Sequence, residues 1–194
     1  MGNRTGIRGL AGAAFAAVLA ASGCGENAEI VRFPPPKPNV SVGSQIFDFT
    51  LSDAEGHSLS PASFKGRSLL VLVFDRGVWN DGCRKRLRAL GAAAPELRAA
   101  GAEIAAITSD PPAEAKTYFD KAGLPFPLLS DPDAHVIRLF GLVHEGGRNG
   151  YDAARPALFI LDREGIVRYA DVPGDDAAKS FGTDLAAQAR ELSR

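Results

Sequence analysis

A continuous apolar run, Ser68-Leu69-Leu70-Val71-Leu72-Val73-Phe74, constrains this chain most. Six apolar residues after Ser68 with no polar alternation read as a strand buried on both faces, which places a sheet at the centre and cover on either side. Downstream, Leu87, Leu90, Ala94 and Leu97 recur at helical spacing. Cys83 lies where the strand hands over to the start of that helix, beside unpaired amide N–H groups and the positive end of the helix dipole. That setting favours a thiolate and predicts a lowered thiol pKa. Four cations, Arg84, Lys85, Arg86 and Arg88, oppose the dipole in the first turns. Either they stabilise the thiolate and attract anions, or they are solvated on the outer face. A small buried apolar role for Cys83 is the structural alternative.

Arg4 and Arg8 precede an alanine-rich apolar run from Leu10 to Ala21, too short to span a bilayer and shaped like an export signal. It ends in Leu19-Ala20-Ala21-Ser22-Gly23-Cys24, which resembles the bacterial lipoprotein signal. The resemblance implies a signal peptide over residues 1–23, lipidation of Cys24, and a location on the extracytoplasmic (periplasmic) side of a membrane in the cell envelope. Residues 24–42, with Pro34-Pro35-Pro36-Lys37-Pro38, read as a semi-rigid proline-rich tether. Residues 43–194 suffice for one packed domain. The net charge of -1, falling to -3 without Arg4 and Arg8, argues against a nucleic-acid partner. Neither a cysteine nor a histidine cluster has metal-ligand spacing, and His57, His135 and His144 are scattered, so no metal or cofactor is expected.

Along the domain, residues 46–51 read as a short strand and the first helix stops at Gly101. Glu103 to Thr108 is the next, parallel strand. Pro112 to Ala122 is helical, with Ser109 or Asp110 as its cap and Gly123 at its end. Pro132 to Phe140 forms another helix, and a loop holds Gly146-Gly147. Residues 157–161 and 166–170 make a hairpin through Asp162-Arg163-Glu164-Gly165, and Asp175 to Leu192 closes the chain as a helix. The order predicts an α/β domain, a central mixed sheet flanked by helices on both faces. It is the order of the thioredoxin fold.

Several segments resemble the peroxiredoxins of the alkyl hydroperoxide reductase and thiol-specific antioxidant family. They are Gly43 to Leu51, Phe64-Lys65-Gly66, Pro125-Phe126-Pro127-Leu128-Leu129-Ser130-Asp131-Pro132, and Arg155-Pro156-Ala157-Leu158-Phe159-Ile160-Leu161-Asp162. The family's catalytic loop has proline, three residues, threonine, two residues and cysteine. Here those positions hold Arg76, Asn80 and Cys83, and the loop is similar to a subgroup with Arg-Gly-x-Trp-Cys-Pro-x-Cys. The resemblance implies a thiol-dependent peroxidase with Cys83 as nucleophile and Arg155 stabilising the thiolate and the developing charge. Asn80 stands in for the threonine that orients the peroxide, its amide offering a donor and an acceptor. Asp81 either raises the thiol pKa or caps the helix together with Asn80.

With Cys24 lipidated, Cys83 is the domain's one remaining thiol, so its sulfenic acid must be reduced by an external thiol or dithiol protein. The implied partners are a hydroperoxide substrate, that reductant, the membrane through the lipid anchor, and a second copy if the chain forms a homodimer. Two other classes compete: an inactive binding or assembly domain on the same fold, and a thiol–disulfide oxidoreductase. The last needs a Cys-x-x-Cys pair, and Asn80 occupies the position of its first cysteine.

Overall fold

The apolar run forms β3 (Leu69–Asp75), buried at all seven positions. It pairs parallel with β4 (Ala102–Thr108) and antiparallel with β8 (Ala157–Leu161), so neither of its edges nor its faces meets water. The computed structural model describes residues 38–173 and 184–194. The expected signal, Cys24, the tether as far as Lys37, and residues 174–183 of the expected closing helix lie outside the described residues.

The remaining strands of the main sheet are β1 (Leu51–Asp53), β2 (Ser58–Leu59), β5 (Leu128–Ser130) and β9 (Val167–Asp171), in the order β2-β1-β5-β4-β3-β8-β9. β5 continues the parallel set beside β4, and the outer strands are antiparallel. Alternation along β3 divides the core. Leu69, Val71 and Val73 pack with Leu87, Leu90 and Leu97 of α1 (Asp81–Ala99), Tyr118 of α2 (Pro112–Ala122) and Leu185 of α4 (Leu185–Leu192). Leu70, Leu72 and Phe74 pack on the other face with Ile137 of α3 (His135–Leu139), Phe140 and Phe159. Helices therefore cover both faces of a mixed sheet, the predicted thioredoxin-like α/β architecture.

Four local expectations change. The strand expected at 46–51 reduces to β1 and a single bridge between Gln45 and Ile166. The Gly146-Gly147 loop is instead part of a separate hairpin, β6 (Val143–Arg148) with β7 (Tyr151–Ala154); glycine and charge leave no apolar alternation to announce it. The helix expected from Pro132 begins at His135, because Ala134 turns left-handed (φ 52°) and the Asp131 carboxylate accepts the His135 and Ile137 N–H groups. At the other end, Asn39 donates its backbone N–H to the Phe140 carbonyl and Val40 is buried, so the packed domain takes in residues assigned to the tether.

Candidate active site

Alternation along β3 also places its last residue. Asp75 follows Leu69, Val71 and Val73 onto the face covered by α1, so its carboxylate projects under the first turn of that helix. Cys83 is on the same turn, fully buried. Arg86, three residues on, shares the buried stripe with Leu87 and Leu90 and is 5% exposed. Its Nη2 lies 3.1 Å from Cys83 Sγ and makes a close ion pair with Asp75 Oδ1. Asp75 Oδ1 also accepts the Arg76 backbone N–H at 3.2 Å, so Arg86 is the group that links the carboxylate to the sulfur. A thiol, a carboxylate and a guanidinium thus form one buried cluster.

The helix start is built by Asn80. Its Oδ1 accepts the Cys83 N–H at 3.1 Å, and α1 begins at Asp81. Asparagine is among the best residues for this role, because its short amide reaches an N–H that has no partner within the helix. Asp81 is not that cap: its side chain is 80% exposed and pairs with Arg84, turned away from the sulfur. Lys85 and Arg88 are exposed, so of the four cations only Arg86 reaches the thiol.

The thiol pKa is raised, to about 12, where the helix terminus alone suggested a lowered one. Burial is the first cause, and the Asp75 charge and hydrogen bond are the next; Arg86 and the Gly77 N–H oppose them. Asp75 is itself raised by burial, against the pull of Arg86. At neutral pH the resting group is a thiol. The carboxylate that matters is therefore Asp75, not Asp81.

Residues expected to cap α2 fix the preceding loop instead. Asp110 is buried and accepts the Val78 N–H at 2.5 Å and the Thr108 hydroxyl at 2.5 Å. Ser109 donates its hydroxyl to the Arg76 carbonyl at 2.7 Å, and α2 starts after Pro111 without a side-chain cap. Arg148 of β6 donates to Asp110 at 3.0 Å and to Glu114 at 2.9 Å, with its guanidinium 5.8 Å from the centre of the Trp79 ring. Gly77 lies at φ +152°, and a Cβ there would stand 2.3 Å from Trp79 Nε1 and 3.0 Å from Asp110 Oδ1. Glycine is what lets the chain pass between these groups. Beside this loop a groove of about 810 Å³ opens between α1 and α2, lined by Val78, Trp79, Arg84, Arg88, Tyr118 and Lys121 among others.

Arg155 is 3% exposed and donates Nη2 to the Gly141 carbonyl at 2.5 Å. The register pairing Phe74 with Ala157 puts Arg155 at the same end of the sheet as Asp75. Asp75 escaped the sequence reading, and Arg86 entered it only as one of four cations, although each left a signal. A charged residue ending a fully buried strand needs a partner, and Arg86 falls on the apolar stripe of its helix.

Residues 42–170 match the AhpC/TSA family. The chain is 30% identical over 152 residues to alkyl hydroperoxide reductase E of Mycobacterium bovis, covering 76% of this chain and 97% of that one. It is 33% identical over 135 residues to the chloroplastic peroxiredoxin Q of Oryza sativa subsp. japonica, covering 67% of this chain and 58% of the relative. Among solved structures, peroxiredoxin Q of Xanthomonas campestris superposes with a TM-score of 0.67 at 25% identity, over 81% of this chain and 99% of that one. Peroxidoxin BcpB of Mycobacterium tuberculosis, at 22% identity and a TM-score of 0.68 over 80% and 99% of the two chains, has the same fold.

Proposed function

The chain belongs to the AhpC/TSA family, a family of thiol-dependent peroxidases, and on that premise we propose that Cys83 is its peroxidatic sulfur in a one-cysteine cycle. The observation that carries the assignment is Cys83 Sγ on the first turn of α1, with the Arg86 guanidinium at 3.1 Å. The cation at the sulfur stabilises the charge that develops as the S–O bond forms. The sulfur attacks the terminal oxygen of a hydroperoxide, the O–O bond breaks, and a sulfenic acid is left for an external thiol or dithiol protein to reduce. Arg155, buried at the same end of the sheet and bonded to the Gly141 carbonyl, is the second cation assigned to the site. Asn80 holds the turn through its cap and presents its amide to the peroxide.

The test is stopped-flow oxidation of Cys83 by hydrogen peroxide, with trapping of one sulfenic acid per chain and Cys83→Ser as control. Oxidation of the wild type no faster than free cysteine removes the assignment and favours a binding role for the fold. Localisation belongs to the same proposal: Cys24 carries the lipid, and the proline-rich segment holds the peroxidase off the periplasmic face of a membrane. Intact mass measurement of the membrane fraction checks it, and an unmodified Cys24 or a retained Met1 refutes it.

A further inference from the structure

Asp75 has no part in that cycle, yet it shares one guanidinium with the reacting atom. Asp75 and Cys83 are fully buried and Arg86 nearly so, and the Arg86 Nη2 bridges the sulfur and Asp75 Oδ1. The second carboxylate oxygen, Oδ2, is buried and receives no N–H or O–H from the described residues. Loss of the thiol proton to solvent would leave two anions facing one guanidinium in a low-dielectric pocket, a costly state. Transfer of that proton to Asp75 keeps the same net charge, with only its position changed. We propose that Asp75 is the general base of the reaction, taking the Cys83 proton as the sulfur attacks and returning it to the departing oxygen.

This rests on the peroxidase reading, and the step balances. Cys83 Sγ–H gives its proton to the carboxylate, the sulfur forms a bond to the terminal hydroxyl oxygen of ROOH, and the O–O bond breaks. Sulfur loses two electrons to the peroxide, and the RO⁻ released takes the proton from Asp75–COOH. The products are Cys83–SOH, ROH and the restored carboxylate. The groups about Asp75 are consistent with this traffic. From α1 come Cys83 and Arg86; from the loop, the Arg76 N–H; from α2, Tyr118, whose hydroxyl feels the Asp75 charge. On β4 the register partner is the neutral Thr108, and on the β8 side Arg155 lies at the same end of the sheet.

The test compares wild type with Asp75→Asn from about pH 6 to 9, following Cys83 oxidation by hydrogen peroxide and, separately, its alkylation by iodoacetamide. Because the Asp75–Cys83 pair shares one proton, both wild-type rates stay flat across the range. Asp75→Asn, lacking the base, loses about 10²-fold or more of the peroxide rate at neutral pH, and its rates climb about tenfold per pH unit. If Asp75 only suppresses the thiolate, Asp75→Asn is faster than wild type, and the proposal falls. Wild-type rates that already climb tenfold per unit also overturn it, and this result does not depend on the variant folding. A flat alkylation profile without peroxide oxidation keeps Asp75 as proton acceptor and removes the peroxidase reading instead.

Discussion

Replacing Asn80 separates two roles that coincide in one side chain. The Oδ1 bond to the Cys83 N–H satisfies one of the unpaired donors at the start of α1, the turn that holds the sulfur. Asn80→Ala removes that acceptor and costs about 1 kcal/mol of stability; Asn80→Thr retains a cap at a loss of a few tenths of a kcal/mol. For a domain of this size, about 1 kcal/mol lowers the melting temperature by roughly 2–4 °C. Cys83 oxidation by peroxide follows the same order: severalfold slower in Asn80→Ala, and at or above the wild-type rate in Asn80→Thr, whose hydroxyl orients the peroxide. Differential scanning calorimetry and stopped-flow fluorescence read the two effects independently. A melting temperature for Asn80→Ala equal to wild type refutes the cap argument. An Asn80→Thr protein as slow as Asn80→Ala refutes the hydroxyl argument.

Arg148→Ala takes a cation from the buried Asp110 carboxylate and uncovers Trp79, at a cost of about 1.5–3 kcal/mol for a charge-assisted hydrogen bond. Trp79 is the single tryptophan, so its emission should shift to the red; unchanged emission and stability would show that the hairpin does not hold the loop. Gly77→Ala should destabilise the domain and slow Cys83 oxidation, because its Cβ meets the indole and Asp110; a wild-type melting temperature in that variant counts against the packing argument. Stability should also rise on mild acidification. Burial raises Asp75, Asp110 and Asp131 above 3.8, so between that value and their folded values the native state binds more protons than the unfolded one and gains stability as pH falls. Asp162, lowered by its hydrogen bonds and Arg168, loses its contribution only as pH falls below 3.8. Melting temperatures at about pH 5 and pH 8 decide this, and a lower value at pH 5 contradicts it.

The sequence by itself determined what depends on local period and chain order. The run from Leu69 to Phe74 is apolar at every position and of strand length, which suits a central strand, and the stripe Leu87-Leu90-Ala94-Leu97 has the helical period. Those two patterns place Cys83 at the junction, and the order of elements supplies the sheet. Asn80 as a cap is equally local, since its bond spans three residues. The β6–β7 hairpin was not legible, because glycine and charged residues carry no alternation; it is held by Arg148 reaching residues 34 and 38 positions away. The thiol's environment was not legible either. A helix terminus and neighbouring cations argue for a thiolate by proximity along the chain, but Lys85 and Arg88 point to solvent and their fields are screened there. What decides the pKa is burial together with a carboxylate eight residues earlier, brought beneath the helix by the pleat of β3. Desolvation and through-space charge depend on what the folded chain stacks above and below an atom, and only the tertiary structure sets that.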